Sequence, residues 1–450
     1  MEADLVVKGG TICTTRGFYK GSIACAGGKI VAIGEESSLP KANVTLNADK
    51  KIVIPGIIDT HVHFRDPGYT YKEDFQTGST AAAAGGVTMV VDMPNTAPLA
   101  NTAEKFSEHI RNAGTKSLVD FNTWALPTVR EEIPKIAALG AVGFKFFMKV
   151  WHYPYGTETA ICSNADILET FRMISKTGLP CLVHPHDGLI WEHNAQKWTE
   201  AGKTDFEGYR EAQWADEDII KTVPAASLVL IANAVNAKLR LLHINEAPYI
   251  KLARALKQGG YQFMGEMNPW AIFCPPGWPE RKDMCGSAAE QWAALNDGTI
   301  DLIATDHAPH TKEEFDKTKT DAFNSVGGVI PYVEHYLSLF LTEVNRGKIS
   351  LERLVALCSE NVAKHLNVYP QKGAIQIGSD ADLTIVDMEL EDTIRSGKMF
   401  SKAGWTPFEG VKVKGVPIHT ILRGKIICQD RQPVGTPGYG KFIPPLKSAY

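Results

Sequence analysis

The stretch that decides the fold is IVIPGIIDTHVHFRDPG, residues 52–68. It is apolar as far as Ile58 and then delivers Asp59, His61, His63, Arg65 and Asp66 in close succession. A short apolar run reads as a buried strand. Polar groups gathered at its end need a reason to be there. In a strand, residues i and i+2 project to one face, so His61 and His63 point the same way. Two imidazoles on one side of a strand terminus make a metal-chelating arm. Alone, such a pair equally fits surface or core histidines.

Seven further β-rich runs follow: VTMVVDMP (87–94), SLVDFNTWA (117–125), AVGFKFFM (141–148), PCLVHPHD (180–187), KLRLLHIN (238–245), YQFMGEM (261–267) and DLIATDHAP (301–309). Between them lie stretches with helical periodicity and glycine stops, such as TAEKFSEHIRNAG. With IIDTHVHF (57–64) the β/α units number eight, which predicts an α/β fold of the TIM-type (β/α)8 barrel class. A doubly wound sheet would need a glycine-rich phosphate turn after its first strand, and there is none. Residues 1–54 and 373–450 have another texture, with short alternating strands broken by Gly and Asp turns. The expected organisation is a small β-sandwich domain formed by both termini, 1–54 plus 373–450, around a catalytic barrel, 55–372.

Composition narrows the partners. Net charge is −4 and no long Lys/Arg run occurs, which argues against nucleic acid. No apolar run reaches the roughly 18 residues of a membrane span. The eight cysteines include no CxxC pair, so neither a zinc ribbon nor a disulfide framework is expected. MEADLVVKGG lacks the apolar centre of a leader, and the expectation is a cytoplasmic protein without a membrane partner.

The other strand ends strengthen the metal reading. Lys145, His184, His243 and Asp306 each follow an apolar run, at the end of a strand where barrel active sites form. Imidazole and carboxylate donors suit zinc or a similar ion. In addition, DTHVHFRDPGYTYKEDFQTGSTAAAAGGVTMVVDMPNTAP and IDLIATDHAPHTKEE closely resemble the two end signatures of dihydroorotases. GFKFFM resembles the strand-four segment of allantoinases and hydantoinases, and GSDADLTIVD their re-entry into the small domain. The chain thus resembles the cyclic amidohydrolases over nearly its whole length.

That resemblance implies two divalent ions, zinc above all, held by His61, His63, Lys145, His184, His243 and Asp306. It also implies that Lys145 carries a carboxylate derived from carbon dioxide. A carbamate offsets cationic charge that neutral histidines leave in place, whereas an ammonium would repel the ions. Asp306 is implied as the catalytic proton carrier and Asp59 as an orienter of a ligand histidine. A homodimer or homotetramer is likewise implied. Of the other histidines, His109, His186, His193, His307, His335 and His365 read as supporting, packing or surface residues.

The substrate implied is a small cyclic amide. Arg65, Asn95 and His310 match the carboxylate-binding positions of dihydroorotases, and a guanidinium suits a carboxylate. Other features depart from that branch. After Lys145 comes FFMKVWHYPYGTET, a long aromatic loop with Val150 where hydantoinases carry tyrosine, and Trp270 stands where histidine is common. Trp151, Tyr153, Tyr155, Trp270 and Trp278 fit a wider pocket or ordinary packing. The first reading is a dihydroorotase-like hydrolase of a carboxylate-bearing ring. The alternative is an allantoinase or a hydantoinase/dihydropyrimidinase. A noncatalytic scaffold is the remote third, disfavoured because every ligand position is filled.

Overall fold

The structure, a computed structural model, describes residues 2–148, 159–273, 288–323 and 330–446. In it the 52–68 stretch divides in two. Ile52–Pro55 is a strand of the terminal sheet, and Ile57–Val62 is the first barrel strand, β1. Gly56 stands at the switch. A Cβ there would lie 2.2 Å from Thr88 Oγ1, so the chain can cross only as glycine.

The remaining barrel strands are β2 (Val87–Asp92), β3 (Asp120–Thr123), β4 (Phe144–Phe147), β5 (Pro180–His184), β6 (Lys238–Leu241), β7 (Met264–Met267) and β8 (Leu302–Ile303). Neighbours pair in parallel from β1 to β3 and from β4 to β8. Two seams close the ring. Ala125 bridges Phe144, with the Lys145 N–H donating to the Ala125 carbonyl at 2.8 Å. Val62 bridges His307, with the His63 N–H donating to the His307 carbonyl at 2.8 Å. The eight expected units are therefore one closed barrel.

Ile58, Met89, Val91, Trp124, Leu182, Leu242 and Leu302 fill the interior and pack with Val362, Ala363 and Leu366. Ser359 Oγ donates to the Gly56 carbonyl at 3.1 Å and Asn361 Nδ2 to the Asp301 carbonyl at 2.8 Å. These bonds tie the 359–366 segment to the strand starts and close that end of the barrel. Among the described residues this leaves the C-terminal strand ends, where barrels of this class carry their chemistry.

Both termini meet in one nine-stranded sheet. Its central strand, Ala3–Thr14, changes partner at an irregularity between Val7 and Gly10. Before that point it pairs in parallel with Ala42–Asn47, and after it with Ile52–Pro55. Leu383–Thr393 then pairs antiparallel with Ile52–Pro55 and so joins the C-terminal strands to the N-terminal ones. The sheet has its own core, including Leu5, Val7, Ile12, Ile23, Val53, Leu383 and Ile421. Beyond its last strand the chain returns to the barrel, where Phe442 bridges Phe121 of β3 and the Ile443 N–H donates to the Phe121 carbonyl at 2.9 Å. Among the described residues no helix is long and apolar enough to cross a membrane.

A buried ionic cluster joins sheet to barrel. Lys372, 1% exposed, sits 2.9 Å from Asp380 and 2.7 Å from Asp382 and also pairs with Asp120 of β3. Arg423 binds the other oxygen of Asp120. The three aspartates lie close enough together to hold a metal ion, but the Lys372 ammonium already supplies the cation there. Replacing Lys372 by Met leaves these buried carboxylates facing one another. Loss of one partner from a buried ion cluster costs about 3–5 kcal/mol. Urea denaturation of the Lys372→Met variant should show a lowered midpoint of corresponding size.

Candidate metal centre

Strict alternation along β1 would turn Ile58, Thr60 and Val62 inward. Instead, Asp59 pairs with Val90 and Val62 with Asp92, so β1 carries one extra residue over that interval. This bulge places Thr60 and His61 both on the inner side and turns Val62 out into the layer between strands and helices. His61 and His63 then face the mouth together, with ring centroids 5.5 Å apart.

Lys145 and His184 reach the same mouth by simple alternation, since Phe144, Phe146, Cys181 and Val183 pack outward. Asp306 likewise follows the inward Leu302 and Ala304. His243 does not follow the rule, because Leu242 already occupies the interior position. Its left-handed backbone, φ 57°, redirects the ring toward the mouth. Asp306 (φ 56°) and Arg65 (φ 62°) share that conformation.

The groups converge closely. Asp306 Oδ1 is 3.2 Å from both His61 Nε2 and His63 Nε2, and its Oδ2 is 3.9 Å from His243 Nδ1. The His243 ring lies 5.2 Å from His61 and 4.6 Å from His184, centroid to centroid. Lys145 Nζ sits 3.9 Å from the centroid of the Phe147 ring, which in turn packs at 6.0 Å on His184.

Each of three histidines has an oxygen against Nδ1. His61 Nδ1 donates to Glu266 Oε1 at 2.7 Å, His63 Nδ1 faces Asn95 Oδ1 at 2.9 Å, and His243 Nδ1 faces Asn268 Oδ1 at 2.6 Å. An acceptor at Nδ1 keeps the proton there and leaves the Nε2 lone pair for another partner. Asp59 does not play the orienting part expected of it. It accepts from the Thr305 N–H at 3.1 Å and Thr305 Oγ1 at 2.6 Å, and so anchors the end of β8.

Charge differs among the four rings. Burial lowers His63 to about 3 and His243 to about 4, and holds His184 well below the ordinary imidazole value. Burial also opposes charge on His61, but Glu266 and Asp306 outweigh it and raise that ring to about 9. Burial brings Lys145 down to about 7. The Asp306 carboxyl is disfavoured by burial, yet the surrounding histidines hold it well below the usual carboxylate range.

This donor set fits divalent metal ions. Atoms of His61, His63 and Asp306 lie within 4.8 Å of one another, as do those of His61, His243 and Glu266. Lys145 Nζ is fully buried among these groups and has no hydrogen-bond acceptor among the described residues, a poor setting for an ammonium and a suitable one for a group that binds a cation.

The other expected residues have plain locations. Arg65 Nη2 lies 3.0 Å from His310 Nε2, and Arg65 Nε donates to the Pro309 carbonyl at 3.2 Å. Asn95 spends its oxygen on His63. His186 packs at 6.1 Å on His184, and His307 Nδ1 accepts the Tyr332 N–H at 3.0 Å. The Trp270 N–H donates to Tyr332 Oη at 3.3 Å. Val150, Trp151, Tyr153, Tyr155 and Trp278 lie outside the described residues.

Glu266, Asn268, Tyr332 and Trp405 escaped the sequence reading. Glu266 had a signal, a charge at an inward position of β7, but the pairing that identifies it comes from β1 and β6. Its second oxygen binds Arg240, whose Nη2 also donates to Thr60 Oγ1 at 2.7 Å.

Comparison with known proteins agrees with this geometry. The amidohydrolase family pattern matches residues 52–427. The chain is 36% identical to a dihydroorotase of Methanosphaera stadtmanae over 85% of this chain and 86% of that one. It is 29% identical to the L-hydantoinase of Paenarthrobacter aurescens over 98% of both. The solved L-hydantoinase (dihydropyrimidinase) from Arthrobacter aurescens superposes with a TM-score of 0.92 at 28% identity, covering 98% of this chain and 100% of that one. The barrel with its terminal sheet, the inward imidazoles and the match along the chain lead to one conclusion: the protein belongs to the amidohydrolase family, in its dihydroorotase and hydantoinase group of metal-dependent cyclic amidohydrolases.

Proposed function

We propose that the protein hydrolyses the ring amide of a cyclic ureide or imide, with a ring of the hydantoin or dihydropyrimidine type as substrate. The observation that carries the reaction is the meeting of His61, His63, His184 and His243 with Asp306 at the mouth of the barrel. The ring class is supported by the end-to-end likeness to hydantoinases in both sequence and shape.

In this reading those five residues hold two divalent ions, zinc by donor type, and a carbamate on Lys145 adds oxygen ligands. The bound ions supply Lewis-acid polarisation of the ring carbonyl and a water acid enough to act near neutral pH. Asp306 moves the proton. Its Oδ1 faces two histidines, so Oδ2 takes the proton from the attacking water and delivers it to the ring nitrogen as the C–N bond breaks. Glu266 and Asn268 hold the imidazoles of His61 and His243 in the tautomer that presents Nε2.

A second reading, a ring that carries a carboxylate, is favoured by one observation. Arg65 lies 3.0 Å from His310 beside the metal centre, a cationic and polar pair suited to an anionic substituent.

Four measurements test these readings. Removal of metal by a chelator should abolish turnover, and reconstitution should restore it at two ions per chain; Glu266→Gln should weaken metal affinity about 10–100-fold. Asp306→Asn should lower kcat by about 10²–10⁴-fold in metal-loaded protein, and an Asn variant of normal activity would remove the proton-carrying role. A panel of hydantoin, dihydrouracil, allantoin and dihydroorotate, followed by loss of ring-amide absorbance, should show preferential opening of hydantoin or dihydrouracil. Preference for dihydroorotate would move the assignment to the second reading.

A further inference from the structure

Asp306 works from a left-handed backbone, φ 56°, which an aspartate keeps only where its surroundings over-determine it. The constraint falls on the peptide plane that joins Thr305 to Asp306. That plane is rigid, so turning its carbonyl changes ψ of Thr305 and φ of Asp306 together. Asp59 fixes Thr305 at its start, accepting from the N–H at 3.1 Å and from Oγ1 at 2.6 Å. The plane itself is held by a residue that the proposed chemistry does not use: the Thr305 carbonyl accepts from the hydroxyl of Tyr332.

Tyr332 lies just before the helix Tyr336–Asn345 and is fully buried, its ring 5.6 Å from that of Phe408. The Trp270 N–H, beyond the end of β7, donates to Tyr332 Oη at 3.3 Å. A phenol has one proton to give, and with an N–H donor already at its oxygen that proton goes to the Thr305 carbonyl. The Tyr332 N–H in turn donates to His307 Nδ1 at 3.0 Å. Tyr332 therefore grips the residue before Asp306 with its hydroxyl and the residue after it with its backbone. With the plane held, Asp306 Oδ1 stays 3.2 Å from both His61 Nε2 and His63 Nε2. With the plane released, φ relaxes toward the ordinary negative range and the carboxylate turns away from those rings.

We propose that Tyr332 is a positioning residue for Asp306, its hydroxyl holding the Thr305–Asp306 peptide in the orientation that aims the carboxylate at His61 and His63. The consequence for turnover rests on the reading of Asp306 as metal ligand and proton carrier. The effect on the backbone can be seen without metal or substrate.

Tyr332→Phe removes the hydroxyl and keeps the ring. Crystal structures of the full-length protein and of this variant, both freed of metal, give the first readout. Asp306 should keep its positive φ in the unmodified protein and leave it in Tyr332→Phe. A positive φ in the variant, with Oδ1 still against both histidines, would overturn the proposal. The second readout is the visible absorption of the cobalt(II)-loaded proteins. The variant should bind as many ions as the unmodified protein but show an altered spectrum, and an identical spectrum would count against the proposal. The third is kinetics on dihydrouracil and hydantoin. Tyr332→Phe should lower kcat about 10–100-fold while KM changes by less than about twofold. A fall in kcat that comes only with loss of ions and a lowered Tm would mark Tyr332 as merely structural and overturn its positioning role. If the unmodified protein opens neither ring, the reading of its function fails, and the pair of metal-free crystal structures still decides the role of Tyr332.

Discussion

Glu266 ties the barrel core to the chemistry at its mouth. It is a fully buried carboxylate whose Oε2 binds Arg240 and whose Oε1 faces His61 at 2.7 Å. Arg240 is itself fully buried inside a ring of apolar side chains, and an unpaired guanidinium there would be prohibitively costly. One carboxylate therefore allows a cation in the core and, from its other oxygen, fixes the tautomer of a candidate metal ligand. Asn268 extends the arrangement. Its Nδ2 donates to Glu266 Oε1 at 3.0 Å, while its oxygen faces His243. The chain Thr60–Arg240–Glu266–His61–Asp306 runs without interruption from the packed interior to the open end.

The backbone around the site is held away from its easiest conformations. Arg65, His243 and Asp306 all take positive φ, each at a cost of about 1–3 kcal/mol that the surroundings must offset. The bulge in β1 is of the same kind, giving up ladder regularity to bring two imidazoles to bear on one oxygen. Anchors lie close by: Asp59 grips Thr305 next to Asp306, and Asp92 Oδ1 accepts the Phe64 N–H at 2.8 Å, between His63 and Arg65.

The terminal sheet does more than cover the barrel. Between its strands Leu383–Thr393 and Lys412–Leu422, the connection reaches over the loops that follow β1 and β8. Ser401 Oγ binds Glu73, Lys402 Nζ donates to the Thr70 carbonyl at 2.7 Å, and Trp405 packs on Phe315 at 4.6 Å. Those loops carry Arg65 and His310, so the C-terminal part of the chain shapes the mouth without contributing a candidate metal ligand.

By itself the sequence determined the barrel, the meeting of the two termini and the residues at the strand ends, because period-two apolar patterning and turn residues are local properties. Lys145 and His184 were legible for the same reason, since alternation alone turns them inward, and Asp306 was legible from its place two residues after Ala304, though not its left-handed backbone. It could not decide that the His61–His63 pair faces the mouth, which depends on a bulge seen only against β2. Nor could it decide that His243 turns in, which depends on a left-handed residue. Glu266, Asn268 and Tyr332 acquire their parts from partners far away in the chain, and Asp59, read as a histidine's orienter, proved to anchor β8. Such pairings are contacts between elements, set by how the barrel closes and where charge can be buried, and no local pattern encodes them.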